Sequence, residues 1–175
     1  MLKTIALVIV VAIAGVLIFA ATKPDTFAVQ RSTSIKAPPD RIFTLINDFK
    51  RWDAWSPWEK KDPAMKRSYG PTTSGKGAHY AWEGNNDVGQ GSMDIAESVL
   101  PSKVALKLDF VKPFEGHNVV EFTLVPRGGS TDVTWSMSGP APFMSKVMQV
   151  FVNMDRMIGK DFEAGLASLK AAAEK

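Results

Sequence analysis

The chain begins with a purely apolar segment. Residues 4–21 contain no charged side chain, and Gly15 is the only residue among them that weakens a helix. As a helix this segment reaches about 27 Å, close to the ~30 Å hydrocarbon core of a bilayer. It has no polar face, unlike a helix that packs on a soluble domain. The pattern therefore predicts a transmembrane anchor and linker in residues 1–25, followed by one domain in residues 26–175.

A cleaved signal peptide is the alternative interpretation of the same segment. Signal peptides have a shorter apolar region, of about 7–15 residues, followed by small residues at the cleavage site. The sequence Phe19-Ala20-Ala21-Thr22 is a poor match to such a site, which favours the anchor. The very short amino-terminal tail favours a cytoplasmic amino terminus. We therefore expect a single-pass protein of a bacterial-type cytoplasmic membrane with its domain outside the cytoplasm, or a secreted protein if the segment is cleaved.

Apolar and polar residues alternate along most of residues 27–36 and 65–137, in short runs separated by Gly, Pro and Asn turns. This period of two predicts strands that bury one face, and the tight turns predict antiparallel pairing. Between the two regions, Pro38 and Pro39 end the first strand and open a short helix that runs to about Phe49.

The carboxy-terminal segment from Pro142 to about Ala173 has helical periodicity. With about 100° per residue, Phe143, Val147 and Leu169 fall on one side and Lys146 and Lys160 on the other. One long amphipathic helix would cover the apolar face of the sheet. The predicted fold class is α+β: a curved antiparallel sheet of about seven strands around a long carboxy-terminal helix, preceded by a transmembrane helix.

Composition excludes several kinds of chemistry. The 175 residues include no cysteine and two histidines, which excludes disulfides, thiolate metal sites and cysteine nucleophiles. The net charge of +3 is spread along the chain without a basic block, so no nucleic-acid partner is expected. No metal site and no cofactor are expected either.

The order of these elements resembles the helix-grip fold of the SRPBCC superfamily, which includes START, polyketide cyclase/dehydrase and lipid-transport, and birch-pollen-allergen-like domains. Three stretches carry the resemblance: the opening strand with its Ala-Pro helix start in residues 31–43, the Trp-rich segment in residues 51–59, and the closing helix in residues 139–169. The resemblance implies a space between sheet and helix for an apolar small molecule or lipid. It does not determine function, because the superfamily includes carriers, enzymes and chaperone co-factors.

Aromatic and methionine side chains are expected to line that space, since they bury a large apolar area and adapt to varied ligands. The expected lining residues are Tyr80, Trp82, Met93, Phe110, Phe122, Trp135, Met137, Met144, Val147, Phe151, Met154 and Ile158. Ordinary core packing explains the same pattern and stays open as the alternative.

Few polar residues are placed to act inside such a space. Arg31 shares the inward face of the first strand, and Asp155 lies at the edge of the apolar stripe of the helix; both are candidate polar anchors for a ligand headgroup. His79 and Glu83 are expected to face water, which disfavours an acid–base pair. Trp52, Trp55 and Trp58 either pack a short helix onto the sheet, gate the space, or face the membrane.

Three functions remain open at this stage. The first is a non-catalytic, membrane-anchored module that binds a small apolar or amphiphilic ligand, such as a lipid or polyketide-like molecule. The second is a cyclase, dehydratase or hydrolase that acts in the same space, which requires converging polar groups. The third is a protein-interaction or stress-response helper, which predicts a large exposed apolar patch. No catalytic residue is assigned.

Overall fold

The computed structural model describes residues 1–175. One antiparallel sheet of seven strands, in the order β1-β7-β6-β5-β4-β3-β2, forms the body of the domain. The helices are α1 (Leu2–Ala21), α2 (Pro39–Ile46), a 3-10 helix (Phe49–Ala54), α3 (Pro57–Lys61), α4 (Phe143–Phe151) and α5 (Met154–Ala173). The strands are β1 (Thr26–Ile35), β2 (Lys66–Tyr69), β3 (His79–Glu83), β4 (Gln90–Val99), β5 (Lys103–Lys112), β6 (Gly116–Arg127) and β7 (Ser130–Pro140).

Strands β2 to β7 follow one another as hairpins, and β1 closes the sheet by pairing with β7. The sheet presents its apolar face to α5, which runs alongside β1 and also contacts α2, α3 and the 3-10 helix. The α+β fold predicted from the sequence, a seven-stranded antiparallel sheet with a carboxy-terminal helix and an apolar amino-terminal helix, is confirmed.

The carboxy-terminal helix is not continuous, contrary to the expectation of one helix from Pro142 to about Ala173. Val152 is extended (φ −122°, ψ 127°), which separates α4 from α5. The side chain of Asn153 accepts a hydrogen bond from the backbone N–H of Arg156 at 2.9 Å, and so caps the start of α5. The apolar periodicity continues through the break, so periodicity alone predicts a single helix.

Helix α1 stands apart from the core of the domain. Ala20 is its only buried residue, and the rest of the helix carries exposed apolar side chains. It is long and apolar enough to cross a membrane, with a mean hydropathy of 3.0. Only about 6% of its most apolar 18-residue stretch is buried, so α1 is not a core helix of the domain. The two interpretations that stay open are a membrane span and a signal sequence.

Candidate functional site

The inner face of the sheet is packed unevenly from one end to the other. At the end farther from α1, inward residues such as Ile35, Val104 and Leu106 are completely buried. At the end nearer α1, Met137, Leu108, Met93 and Trp82 are 7–9% exposed. Phe27 and Phe110 at that end are only partly buried. The apolar face of the sheet is therefore sealed at one end and incompletely covered at the end where β1 begins.

The middle of the space between sheet and helix is filled by aromatic rings. Trp135 on β7 stacks on Phe162 of α5, with ring centroids 4.2 Å apart and an angle of 9° between the planes. Trp55 and Phe122 pack against Trp135 at 5.6 and 4.9 Å. Helix α5 comes so close at Gly165 that a Cβ added there would lie 2.6 Å from Cζ3 of Trp135. This part of the space is occupied by the protein itself.

The residues predicted to line a ligand site fall into three groups. Phe122 and Trp135 belong to the filled middle. Others lie on the incompletely covered part of the inner face or are partly buried residues of α4 and α5. This second group consists of Tyr80, Trp82, Met93, Phe110, Met137, Val147, Met154 and Ile158.

Met144 and Phe151 form the third group, and the structure places them away from the predicted lining. Their side chains are 64% and 73% exposed on the surface of α4. The break at Val152 is the reason, since α4 no longer follows the axis of α5 and presents its apolar side outward. Their prediction as lining residues assumed one straight helix.

Arg31 and Asp155, the predicted polar anchors, bind each other. Arg31 Nη1 and Nη2 donate to the Asp155 carboxylate at 3.0 and 3.1 Å, and Arg31 Nε donates to Glu163 at 2.7 Å. These hydrogen bonds raise the pKa of Arg31 and lower the pKa of Asp155. Gly159 has no side chain, which lets the guanidinium cross α5. The arginine therefore ties β1 to α5, and its donors are satisfied within the protein.

A second polar cluster was not identified from the sequence. Glu59 on α3 accepts hydrogen bonds from the Tyr80 hydroxyl at 3.1 Å and from Arg67 Nε at 2.7 Å. Burial and the Glu59 carboxylate raise the pKa of Tyr80 well above its usual range. The signal was present in the alternation of β2, where Arg67 shares a face with Tyr69 and pairs with Trp82 across the strands. The cluster joins α3 to the edge of the sheet, with each group bonded to another.

The tryptophans of the Trp-rich segment serve packing. Nε1 of Trp52 donates to the carbonyl of Ile46, and Nε1 of Trp55 donates to the carbonyl of Leu45, both at 2.9 Å. These carbonyls lie at the end of α2, where a helix has no internal donors left. Trp58 packs edge-on against Trp135 at 5.6 Å. Of the three interpretations of this segment, the structure supports packing.

Trp135 differs from these tryptophans, because its buried Nε1 has no hydrogen-bond partner. Such an unsatisfied donor costs about 1–3 kcal/mol. It lies in the filled middle, where the surrounding rings and α5 separate it from the incompletely covered end of the sheet.

The two histidines lie outside this site. His79 Nδ1 is 2.8 Å from Asp94 across β3 and β4, and His117 Nδ1 is 2.6 Å from Asp109 across β5 and β6. Asp109 raises the pKa of His117. No group of three or more His, Cys, Asp and Glu side chains is arranged to hold a metal ion.

The surface of the domain has two depressions, of about 450 and 480 Å³, and both are lined mainly by polar residues. One lies on the outer face of β1, β6 and β7, around Ser32, Asp132 and Thr134. The other lies around the β3–β4 turn and the end of β5. Neither includes a residue of α5, so neither is the apolar site that the fold suggests.

Comparison with solved structures shows the fold. A protein from Chromobacterium violaceum aligns with a TM-score of 0.61 and 15% identity, over 87% of this chain and 99% of that chain. The ginseng major latex-like protein 151 from Panax ginseng aligns with a TM-score of 0.61 and 15% identity, over 87% and 100% of the two chains. The Aha1 dimer from Colwellia psychrerythraea has a TM-score of 0.57 and 16% identity, over 85% and 96%.

No protein of curated function matches the sequence. The family model described as polyketide cyclase / dehydrase and lipid transport matches residues 26–174, which include every strand and the helices α2 to α5. The resemblance to the SRPBCC superfamily is thereby confirmed, and the chain belongs to the polyketide cyclase/dehydrase and lipid transport family.

Proposed function

We propose that the protein is a membrane-anchored module that binds a small apolar or amphiphilic ligand at the incompletely covered end of the sheet. In this proposal residues 1–25 are the anchor and linker, and residues 26–175 are the binding domain. The observation that carries it is the partial burial of Phe27 and Phe110 at the end of the inner face nearer α1, whereas Ile35 and Val104 at the other end are completely buried. The family supports hydrophobic ligand binding as the general activity.

The filled middle limits where the ligand lies. Trp135 and Phe162 form the floor of the site, because no space remains between their rings and the backbone of α5. The walls are Met93, Leu108 and Met137 from the strands, with Met154 and Ile158 from α5. Methionines suit such walls, since the flexible thioether adapts to ligands of varied shape.

The polar groups indicate what kind of ligand fits. Arg31 is occupied by Asp155 and Glu163, so an anionic headgroup would have to displace an existing ion pair. Nε1 of Trp135 has no hydrogen-bond partner, but it is buried in the filled middle and out of reach of a ligand. We therefore expect a largely apolar molecule rather than a free acid.

Co-purification tests ligand binding directly. The full chain is isolated in lipid discs made from one synthetic phospholipid, so that any other apolar molecule is recognised by extraction and mass spectrometry. Met93→Trp fills the open end, and Leu100→Trp is the matched control because Leu100 is exposed in the β4–β5 turn at the opposite end. A bound molecule retained by the wild type and Leu100→Trp, and lost from Met93→Trp, supports the proposal.

Equal recovery from all three proteins, or from none, contradicts the proposed site. Leu108→Phe is a second filling variant in case Met93→Trp does not fold. The anchor is tested separately from the intact mass of the mature protein: retention of residues 1–21 supports an anchor, and their loss shows a cleaved signal.

Catalysis in the same space is the second candidate, favoured by one observation. Glu59, Arg67 and Tyr80 converge within hydrogen-bond distance on the inner side of the β2–β3 edge. In their present arrangement each satisfies another, which leaves no free base. If a bound ligand is identified, Tyr80→Phe distinguishes the two functions, since a binding module retains the ligand unchanged and an enzyme loses turnover.

A further inference from the structure

Helix α4 presents its apolar side to the outside of the protein. At about 100° per residue, Met144, Met148 and Phe151 lie within an arc of about 60°. All three are exposed, Phe151 most of all at 73%. Lys146 lies on the opposite side, where it is buried and paired with Asp25. This arrangement is the reverse of a surface helix of a soluble domain, which turns its polar side to water.

Further exposed apolar residues lie along the same stretch of chain. They are Phe143 at the start of α4, Val152 at the break and Met157 in the first turn of α5. Lys146 is the only charged residue of α4, and its pairing with Asp25 leaves the exposed side without charge. We call Phe143, Met144, Met148, Phe151, Val152 and Met157 the α4 patch. Contiguous exposed apolar patches of this kind are typical of interaction surfaces.

The location of the α4 patch indicates what covers it. The chief packing partner of α4 is α1, whose last turn buries Ala20 completely. The backbone N–H of Ala141 donates to the carbonyl of Asp25 at 2.7 Å, which fixes the start of α4 to the linker. The Lys146 ammonium lowers the pKa of Asp25 through their hydrogen bond and reinforces this attachment. Helix α4 is therefore held at the domain end of the apolar helix.

We propose that the α4 patch is immersed in the interfacial layer of the same bilayer that α1 spans. This inference rests on the proposed anchor role of α1. If α1 crosses the membrane, Ala20 lies near the membrane surface, and α4 beside it lies at the same depth. An amphipathic helix in that position buries its apolar side about 5–10 Å into the boundary between headgroups and acyl chains.

Basic side chains near the patch fit this placement. Lys23 follows α1 directly and lies over the ring of Phe19 at 4.7 Å from its centroid. Arg156 and Lys160 are exposed at the start of α5. Long basic side chains next to an apolar helix reach the headgroup layer while their stems stay in the apolar region. The incompletely covered end of the sheet then opens towards the lipid surface, so a ligand reaches the site without crossing bulk water.

Site-directed spin labelling tests the placement in the full chain. The protein has no cysteine, so each introduced cysteine is a unique label site. Labels are placed at Met148→Cys and Phe151→Cys in the α4 patch, at Val11→Cys in the middle of α1, and at Leu100→Cys as the control. Leu100 is 66% exposed, between Met148 at 39% and Phe151 at 73%, but lies at the other end of the sheet. The protein is reconstituted in phosphatidylcholine–phosphatidylglycerol vesicles, and collisions with oxygen and with a water-soluble nickel complex are measured.

We expect the labels at 148 and 151 to collide with oxygen several-fold more, relative to nickel, than the label at 100. The label at 11 should show the strongest preference for oxygen. If the label at 11 lies in lipid while those at 148 and 151 collide with nickel as often as the label at 100, the inference is wrong and the anchor stands. If the label at 11 is also in water, the anchor itself is wrong. Spin–spin broadening between copies labelled at 151 would show a second copy on the patch and would likewise overturn the inference.

Discussion

The contact between Gly165 and Trp135 decides how much of the space between sheet and α5 is available to a ligand. Gly165→Ala adds one methyl group at this point. In an exposed helix interior, replacing glycine by alanine stabilises a protein by about 1 kcal/mol, because alanine has the higher helix propensity. If the space behind α5 were empty here, the substitution would have this ordinary effect.

The structure predicts the opposite sign. The new methyl would lie 2.6 Å from Cζ3 of Trp135 and 3.1 Å from Cδ of Pro57, whereas carbon atoms pack best at about 3.5–4.0 Å. Trp135 would have to move by about 1 Å. It is stacked on Phe162 and packed against Trp55, so it has no free direction to take. Overpacking of this kind costs about 1–3 kcal/mol, which outweighs the gain in propensity.

We therefore expect Gly165→Ala to lower the free energy of unfolding by about 1 kcal/mol, which is the middle of the overpacking range less the gain in propensity. The assay is urea unfolding of the full chain in detergent, followed by tryptophan fluorescence, since all five tryptophans lie in the domain. Trp135→Phe provides the control, because it shortens the side chain that the methyl meets. In that background Gly165→Ala should lose most of its cost. If Gly165→Ala in the wild-type background unfolds at a higher urea concentration than the wild type, the conclusion that the space between Trp135 and α5 is filled is wrong.

Three further predictions use the same protein. Arg31→Gln should lower the unfolding midpoint, and the difference from wild type should shrink in high salt, because the lost ion pairs with Asp155 and Glu163 are screened there. Trp55→Phe should cost about 1–3 kcal/mol in urea unfolding, since it removes the donor to the Leu45 carbonyl. The hydrogen bond to Asp109 raises the pKa of His117 in the folded state. The His117–Asp109 pair therefore contributes its full stability below the unfolded-state pKa of His117, about 6.5, and loses this contribution as the pH rises through the folded-state pKa of His117. An NMR titration should show the pKa of His117 falling in Asp109→Asn, and an unchanged value would contradict this assignment.

The sequence was sufficient to predict the sheet, because each strand buries one face and so alternates in register with its neighbours. The pairing of Arg31 with Asp155 was also within reach, since an inward arginine needs a partner. The break at Val152 was not predicted, because apolar spacing continues through it. The sequence feature that marks the start of a second helix is Asn153, a helix-capping residue type, followed by Asp155 in the first turn.

The filling of the interior could not be predicted from periodicity either. Alternation shows which side chains point inward, but not whether their volumes fill the space between the layers. Phe122 and Met93 carry the same sequence signal, yet Phe122 is 0% and Met93 8% exposed. Phe122 is enclosed by the rings of Trp52, Trp55 and Trp135, which come from other elements of the fold. The distance between the sheet and α5 is set only when the elements assemble, so the alternation within one strand does not predict it.

The order of pairing brings helix α1, the α4 patch and the incompletely covered end of the sheet together. Four residues separate the end of α1 from β1, whose first residue, Thr26, pairs with Pro140 at the end of β7. Helix α4 follows that end directly, so the chain both enters and leaves the sheet on the same side. The antiparallel register then fixes which inward residues lie there, namely Phe27, Leu108 and Met93 rather than Ile35 and Val104. If α1 is the anchor that we propose, a domain with this topology also brings its least covered apolar surface to the bilayer, which is the geometry that ligand exchange with a lipid phase requires.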